Sequence, residues 1–269
     1  MHFKPLTNLN ACRVLISNDD GINAFGIKLL EKIISNLTTD IWVVAPKSEK
    51  SGASHAITSD KLRSMQGHSS VDAFPNDIIQ ISDKHYAVDG TPTDCVRIAL
   101  NMIMKDNLPD IVISGINNGR NIADDITYSG TIGVAVEGIL HGIPSIAVSQ
   151  LVDGATDVNW EIAEKHLPEL LQKICRGTYS ADTLININFP NVPFSELKGI
   201  KVCRHGTRRF TEGTIEHSRI NKNTITKLKD TANTFPPDNE EIKQSITVSA
   251  LTINLSDNAG LKELETVLK

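Results

Sequence analysis

The sequence predicts an α/β fold with a Rossmann-like core, a largely parallel sheet with helices on both of its faces. Three observations support this prediction. Short apolar runs alternate with helical patterns as far as residue 190. The runs are apolar at consecutive positions, which is typical of strands buried on both faces. Polar loops follow the runs, as expected where an open parallel sheet binds its ligand.

The first elements alternate clearly. Residues 12–17 (CRVLIS) predict a buried strand, and apolar residues recur at helical spacing over 24–37. A second strand is predicted over 40–46, where a proline stops it. Two short strand-like pieces, 77–82 and 84–90, then flank a turn. These two pieces predict a β-hairpin.

The alternation continues through the middle of the chain. A helix is predicted after a threonine cap, supplied by Thr91 or Thr93, with Pro92 at its start. A glycine- and asparagine-rich loop is predicted over 115–121, and Pro168 predicts a kink or a break in the last helix of this part. The further predicted strands are 110–114, 144–149 and 184–190, and the further predicted helices are 129–142 and 158–176.

The chain changes character after residue 190. Polar β-type patterning follows, then a polar loop with prolines, a predicted strand over 245–256 and a closing helix. We therefore divide the chain into an α/β core over 1–195 and an extension over 196–269, within one structural unit. The polar β-hairpins of the extension predict packing against another subunit, so that the extension and its tail would serve oligomerisation.

The composition limits the classes of function. The net charge of -5 and the sequence pI of about 5.9 lack the basic excess of nucleic-acid-binding domains, so no nucleic-acid polymer is expected as a partner. No apolar run approaches the roughly 18 residues of a membrane helix, and the N-terminus lacks the apolar segment of a secretory signal. We expect a cytoplasmic protein without a membrane partner. Four cysteines, far apart, are expected to be buried thiols: Cys12, Cys95, Cys175 and Cys203.

Oxygen-bearing side chains follow three of the predicted strands. Asp19 and Asp20 come after the first strand, Ser51 lies after the second, and Asn117 follows the strand at 110–114. Carboxylate, hydroxyl and amide oxygens suit Mg²⁺ or Mn²⁺ better than zinc. A divalent cation would also relieve the repulsion between the two neighbouring carboxylates. The alternative interpretation is a helix cap followed by a solvated Asp-Gly turn.

A second polar group opens the helix predicted at 129–142. Ser129 and Thr131, with the backbone N–H groups of a helix N-terminus, are suited to bind an anion such as phosphate. A plain helix cap is the alternative. His55 lies in a loop on the same side and could bind phosphate or protonate a leaving oxygen. Asp124 and Asp125 are candidates for acid–base work, and a solvated acidic loop is the alternative for them.

At these residues the sequence resembles the SurE family, the stationary-phase survival protein nucleotidases. The matching stretches are ISNDDGINAFGI, VVAPKSEKSGASHAIT, GTPTDCVRIAL, PDIVISGINNGRNIADDITYSGT and GVAVEGILHGIPSIAVS, in register over about 13–149. The resemblance implies a metal-dependent phosphomonoester hydrolase that removes phosphate from nucleoside 5′- and 3′-monophosphates, with short-chain polyphosphate as a further substrate. It implies one Mg²⁺ or Mn²⁺ per subunit and a homodimer or homotetramer whose C-terminal hairpin and tail reach neighbouring subunits.

The resemblance also implies roles for individual residues. The metal ligands would be Asp19, Asp20, Ser51 and Asn117. Catalytic or phosphate-binding positions would be His55, Asn121, Asp125, Ser129, Gly130 and Thr131. As a hypothesis of mechanism, Asp19 or Asp125 would be the catalytic acid that accepts a proton from water. The chain departs from the family at Phe25, where Pro is usual, and at Ala250 and Thr252, where the family often has Pro and His. The change at Phe25 is expected to alter a helix start, whereas the loss of that His removes a candidate substrate contact.

Two other classes of function compete with hydrolysis. A receiver-like module also carries paired acids that bind Mg²⁺, but it needs a phosphate-accepting aspartate at the end of a later strand. Here the second strand ends in Ala45-Pro46, and the strand at 110–114 ends in Ser114 and is followed by Gly115. A regulatory module that binds nucleotide without chemistry is the other alternative. The chain has neither the dinucleotide-binding nor the P-loop glycine motif.

Overall fold

The computed structural model describes residues 2–58, 78–152, 158–204, 206–209, 233–235 and 243–268. Strands and helices alternate through this part of the chain as the sequence predicts. The strands are β1 Arg13–Ser17, β2 Asp40–Pro46, β3 Ile78–Ser82, β4 His85–Val88, β5 Ile111–Asn118, β6 Ser145–Gln150, β7 Thr183–Phe189, β8 Ile200–Val202, β9 Thr207–Arg209, β10 Asn233–Phe235 and β11 Ile246–Thr252. The α-helices are α1 Phe25–Ile34, α2 Pro92–Ile98, α3 Asp125–Tyr128, α4 Gly130–Leu140, α5 Glu161–Cys175 and α6 Asn258–Val267.

One large sheet organises the molecule. Nine of the strands in the described ranges form it, in the order β3-β4-β2-β1-β5-β6-β7-β11-β8. The adjacent strands β4, β2, β1, β5, β6 and β7 run parallel, whereas β3 pairs antiparallel with β4 and β11 pairs antiparallel with β7. The strand order reverses between β1 and β5. The sheet strands that precede β5 in the chain lie on one side of this point, and those that follow it lie on the other. The crevice at their carboxyl ends is the place where such sheets bind ligands.

Helices cover both faces of the sheet. Val14 and Ile16 of β1 pack with α1 and α5 in one buried cluster. Leu15, whose side chain points to the other face, packs with α2 and with Val134 of α4. The strands are therefore apolar on both faces because both faces are covered. The predicted fold class is confirmed.

Two local predictions are wrong in instructive ways. The loop predicted at 115–121 begins later, because β5 continues to Asn118, where the end of β6 pairs with it. Helix α5 runs through Pro168, so the alternative of a break there is wrong. The proline removes one backbone donor. The apolar face of α5, which packs against the sheet in the large core cluster, keeps the helix in place.

The C-terminal extension contributes to the same sheet. Strand β11 pairs antiparallel with β7, and β8 pairs parallel with β11. Strands β9 and β10 form a separate antiparallel ribbon, and the chain between them, 210–232, lies outside the described residues. In the described part of the chain, α6 has no buried residue. The division of the chain at residue 195 stays a prediction.

The burial of three of the four cysteines agrees with the prediction of buried thiols. Cys12, Cys95 and Cys175 are buried and Cys203 is half-buried, and none of these four cysteines forms a disulfide in the described part of the chain. Burial raises the pKa of the Cys175 thiol to about 12, so this group is an inert core thiol.

Among the helices of the described ranges, none combines the length and the apolar character needed to span a membrane.

Candidate active site

The chain after β1 folds into a tight turn that presents both acids. The Asn18 side chain donates from Nδ2 to the Gly21 carbonyl, and its Oδ1 accepts the Gly21 N–H. Gly21 has a φ of +97°, and an added Cβ would lie 3.2 Å from the Ser48 carbonyl carbon. Only glycine suits this position. The turn therefore fixes the directions in which Asp19 and Asp20 leave the end of β1.

Asp20 connects the two central strands at the crevice. Its Oδ2 accepts a hydrogen bond of 3.0 Å from the backbone N–H of Asn118, at the end of β5. The pKa of Asp20 is raised to about 6, mainly by burial and to a smaller extent by the charges of Asp19 and Glu49. The hydrogen bond from Asn118 opposes this shift without cancelling it. The fold thus holds Asp20 where its negative charge is poorly compensated.

Asp19 faces the start of α4. Its carboxylate is almost fully buried, and its Oδ1 accepts a hydrogen bond of 2.5 Å from Thr131 Oγ1. An added Cβ on Gly130 would lie 2.7 Å from the Asp19 Cβ, so glycine is required for this close approach. Desolvation raises the pKa of Asp19, and the hydrogen bond from Thr131 is the largest opposing effect. Burial therefore disfavours the charged form of both acids.

The loop after β2 closes over Asp19. The backbone N–H of Lys50 donates to the Asp19 carbonyl at 2.7 Å. Ser51 is exposed, and its Oγ donates to Glu49 Oε1 at 2.9 Å. Ser54 has a φ of +53°, and its Oγ donates to the Thr127 carbonyl at 2.7 Å. This loop joins the turn after β1 to the segment just before α4.

Asn117 and Asn118, the two asparagines at the end of β5, have different surroundings. Asn117 donates from Nδ2 to the Gly119 carbonyl at 2.9 Å, and it pairs in the sheet with Ser149 of β6. Asn118 is exposed and lines a cavity together with Asp20 and Ser51. The predicted ligand Asn117 therefore lies at the carboxyl end of β5, next to the asparagine whose backbone N–H binds Asp20, and its role as a ligand stays a prediction.

Asn121 is held inside a network of asparagines. It is buried; its Nδ2 donates to Ser149 Oγ, and its N–H donates to Asn188 Oδ1. Its carbonyl accepts from Nδ2 of Asn186 and of Asn188. These contacts order the loop after β5, and a phosphate-binding role for Asn121 stays a prediction. The signal for the network was the pattern LININFP, which places two asparagines inside a buried strand.

His55 points toward a buried acid that the sequence interpretation missed. Its Nε2 lies 2.7 Å from Oε2 of Glu137, a residue of α4 that is 1% exposed. Arg97 of α2 donates to Glu137 Oε1 at 3.0 Å, and His141 Nδ1 lies 3.4 Å from the same oxygen. Glu137 thereby ties the loop after β2 to two helices. A carboxylate inside an otherwise apolar helix pattern marks such a buried, paired charge.

The remaining predicted residues lie at the junction of α3 and α4. Ser129 is the N-cap of α4, and its Oγ accepts the Ile132 N–H at 3.1 Å. Asp125 begins α3 and forms an ion pair with Arg120 at 3.3 Å. The backbone carbonyl of Tyr128 accepts the Ser54 N–H. The start of α4 thus lies against Asp19 on one side and against the loop after β2 on the other.

The donors at this crevice suit a hard divalent cation. Two adjacent carboxylates are desolvated, and a hydroxyl and amide oxygens lie on loops bonded to the same turn. No ion pair of Asp19 or Asp20 with a basic side chain occurs within the described ranges. Those ranges hold no group of three or more His, Cys, Asp and Glu side chains that could hold a metal ion, so a cation at this crevice would need other oxygen ligands besides the two carboxylates. An oxygen-only donor set with two carboxylates is the pattern of Mg²⁺ and Mn²⁺ sites.

Comparison with known families decides the affiliation. The family model described as "Survival protein SurE" matches residues 14–212, most of the chain. The chain belongs to the SurE family. The SurE match covers β1, the loop after β2, the end of β5 and the start of α4, which carry the site. The resemblance predicted from the sequence motifs is confirmed.

Relatives and a solved structure extend the SurE comparison. A protein named 5′-nucleotidase SurE from Parvibaculum lavamentivorans is 46% identical over 73% of this chain and 67% of its own length. One of the same name from Rhodospirillum rubrum is 37% identical over 97% of this chain and 98% of its own length. The crystal structure of the SurE protein from Aquifex aeolicus superposes with a TM-score of 0.77 at 29% identity, covering 96% of this chain and all of that chain.

Proposed function

We propose that this SurE family protein is a metal-dependent phosphomonoester hydrolase that releases phosphate from nucleoside monophosphates. The observation that carries the proposal is the pair of desolvated acids, Asp19 and Asp20, beside the N-terminus of α4. Relatives named 5′-nucleotidase SurE at 37–46% identity support the substrate class. The finer proposal covers both 5′- and 3′-monophosphates and short-chain polyphosphate.

One Mg²⁺ or Mn²⁺ per subunit would be held by Asp19, Asp20, Ser51 and Asn117. When bound, such an ion polarises the phosphoryl group and offsets its negative charge. The two acids supply the anionic oxygens. Because burial raises their pKa values, a bound cation would stabilise their ionised forms. Thr131 orients Asp19 through its hydrogen bond to Oδ1.

The start of α4 would bind the phosphoryl oxygens. Free N–H groups at a helix N-terminus and the helix dipole favour an anion there. Ser129, Gly130 and Thr131 lie at this terminus, and Gly130 allows it to approach Asp19. The phosphoryl group would therefore be held between the acids and the helix, where donors can stabilise the charge that develops during transfer.

Acid–base steps fall to residues around this position. Asp19 or Asp125 would accept a proton from the attacking water. His55 would bind phosphate or return a proton to the leaving oxygen. Because Glu137 engages Nε2 of His55, Nδ1 is the ring nitrogen left to face the substrate. The arrangement needs no covalent phospho-enzyme.

The decisive assay measures phosphate release from every nucleoside monophosphate with Mg²⁺ or Mn²⁺, with and without EDTA. We expect turnover that EDTA abolishes. Asp19→Asn should lower kcat by at least about 10²-fold, the scale of losing one key electrostatic group, without unfolding the protein. Asp106→Asn is the matched control, because Asp106 is an exposed aspartate outside the site. Full activity of Asp19→Asn would reject the metal model.

Two further assays, together with phosphate release, separate the two rival functions. A receiver-like module would keep acid-labile phosphate on the protein after incubation with acetyl phosphate and would show no turnover. A regulatory module would bind AMP with Mg²⁺ in calorimetry and release no inorganic phosphate. Catalytic turnover of a nucleotide excludes both.

A homodimer or homotetramer completes the proposal, with 1–195 as the catalytic core and 196–269 as the part that contacts other subunits. Support comes from α6, none of whose residues is buried in the part of the chain that the structure describes. Its exposed apolar side chains, with that of the residue just after it, are Leu261, Leu264, Val267 and Leu268. Exposed apolar residues on one helix are typical of a protein–protein contact.

A further inference from the structure

A cavity of about 500 Å³ opens beside the paired acids and has two chemically different walls. One wall is polar and contains Asp20, Ser51 and Asn118. The other contains the aromatic side chains of Phe25 and Trp160. A volume of this size falls within the range of small-ligand sites, about 300–1,000 Å³.

The two aromatic rings form one surface. Their centroids are 5.3 Å apart, and their planes are inclined by 53°. Phe25 is the first residue of α1, and Trp160 is the N-cap of α5, so each ring is mounted on the end of a helix. Trp160 packs partly against the main core cluster, which fixes the position of the pair.

Phe25 is mostly exposed at the start of a helix whose other apolar residues are buried. The residue is 61% exposed, whereas α1 buries six other residues, all of them apolar or glycine. Gly26, the next residue, lets α1 approach Ile116 so closely that an added Cβ would lie 1.9 Å from its carbonyl oxygen. The start of α1 is thus anchored to β5, and the Phe25 ring lines the cavity beside Trp160 and stays mostly exposed.

We propose that Phe25 and Trp160 form the nucleobase subsite of this enzyme. The inference rests on the proposed function, because it places the phosphate end of a nucleoside monophosphate at the polar wall. An aromatic face accepts any base by stacking, since every base has a π-face. Glu49 also lines the cavity and is suited to accept hydrogen bonds from ribose hydroxyls.

Substrate pairs that differ only in the base test the subsite. We expect Phe25→Ala to lower kcat/KM for AMP by roughly tenfold, the scale of losing one base–aromatic stack, mainly through KM. Hydrolysis of ribose 5-phosphate should change less than twofold. Phe25→Tyr keeps a ring and should retain the preference for AMP. Equal loss on both substrates, or no loss on either, would overturn the inference.

A matched control uses another pair of aromatic rings in the described part of the chain. Trp42 and Tyr86 stack with centroids 6.4 Å apart on β2 and β4, and neither lines the cavity. Tyr86→Ala removes one ring of that pair and should leave the ratio of AMP to ribose 5-phosphate turnover unchanged. A ratio that fell as far in Tyr86→Ala as in Phe25→Ala would mean that stability, and not stacking, sets it, and would overturn the inference.

Fluorescence gives a readout that does not depend on turnover. The chain has two tryptophans, so Trp42→Phe leaves Trp160 as the single reporter. Millimolar adenosine should quench this emission saturably, and ribose should not. Absence of quenching by both adenosine and AMP would refute the subsite. If the protein bound adenosine but released no phosphate from any substrate with any metal, the proposed function would fail while the subsite stood.

Discussion

Asp19 and Asp20 are neighbours in sequence and yet meet different surroundings. Asp19 is buried against α4 and bound by Thr131, whereas Asp20 reaches across the crevice to the backbone of Asn118. Both carboxylates have raised pKa values because burial disfavours their charge. Two such acids without a basic partner in the described ranges destabilise the metal-free fold, and a bound cation would reverse that effect.

The raised pKa of Asp20 predicts how stability depends on pH in EDTA. Because the folded state holds this proton up to about pH 6 and the unfolded chain only to its ordinary value of 3.8, unfolding free energy falls as pH rises through that window. The loss is on the order of 2–3 kcal/mol at about 1.36 kcal/mol per unit of pKa. Thermal unfolding between pH 3.5 and 8 measures it.

Asp20→Asn is the matching variant. It should remove most of that pH dependence and raise the Tm of the metal-free protein above pH 6, while it abolishes the stabilisation by Mg²⁺. A wild-type protein whose stability rises with pH over the window, or an Asp20→Asn protein still stabilised by Mg²⁺, would contradict the assigned role of Asp20.

Glu137 is the second residue whose environment yields a prediction. Its carboxylate lies between His55 and Arg97 and is 1% exposed. Glu137→Gln keeps the shape and removes the charge, and breaking a buried ion pair costs roughly 3–5 kcal/mol. Denaturant unfolding measures this loss. Because His55 would lose its anchor, the same variant should also lower phosphate release.

The control for Glu137 is an exposed ion pair. Glu164 contacts Lys32 at 2.5 Å, with both side chains largely exposed. Exposed pairs contribute about 0–1 kcal/mol, so Glu164→Gln should have little effect. Equal losses in the two variants would show that burial of Glu137 does not govern its contribution.

At the scale of single elements, α2 shows how a cap is chosen. The sequence left Thr91 and Thr93 as alternatives, and the structure selects Thr91. Its Oγ1 accepts the Asp94 N–H, and Asp94 Oδ2 accepts the Thr91 N–H, which forms a capping box. Thr91 Oγ1 also donates to the Ala56 carbonyl, so the cap holds the loop after β2 as well.

Thr93 provides the comparison that tests this assignment. It is fully buried, and its Oγ1 has no hydrogen-bond partner in the described ranges. Thr91→Val should cost about 1 kcal/mol of unfolding free energy, the usual value of a lost N-cap. Thr93→Val replaces an unpaired hydroxyl with a methyl group and should be neutral or stabilising. The reverse order in denaturant titrations would contradict the assignment.

Local pattern predicted the elements better than it predicted their ends. The apolar runs place β1, β2, β6 and β7 within a residue or two of their observed bounds, because strands buried on both faces leave a clear signal. The extension of β5 to Asn118 was missed because it depends on pairing with β6 and not on the polar residues themselves. Short α3, of four residues, carries too few positions for a periodic pattern.

The site residues also divide into those that local sequence predicts and those that only the tertiary structure identifies. Residue types after the strands pointed to Asp19, Asp20, Ser51, Asn117 and Ser129, because parallel strands bring their carboxyl ends to one edge. The contacts between Glu137 and His55, and between Asn121 and β7, join positions 82 and 67 residues apart. No local pattern specifies which distant residues meet, so these partners emerged only from the tertiary structure.

At the scale of the whole molecule, the C-terminal extension is divided between two environments. Strand β11 completes the sheet beside β7, whereas α6 exposes its apolar side chains. Deletion of 257–269 should therefore leave the folded core intact and reduce the mass of the particle in light scattering to that of a single chain. Circular dichroism checks that the core persists. An unchanged mass would assign the subunit contact to another surface.

The reversal of strand order between β1 and β5 has a consequence for synthesis on the ribosome. One hydrogen bond at the crevice joins Asp20 to Asn118, residues 98 positions apart. A nascent chain that has released only β1 and β2 carries both acids without their partner strand. The crevice therefore cannot form until β5, which ends at residue 118 of 269, has emerged and paired with β1 at what is then the open edge of the sheet.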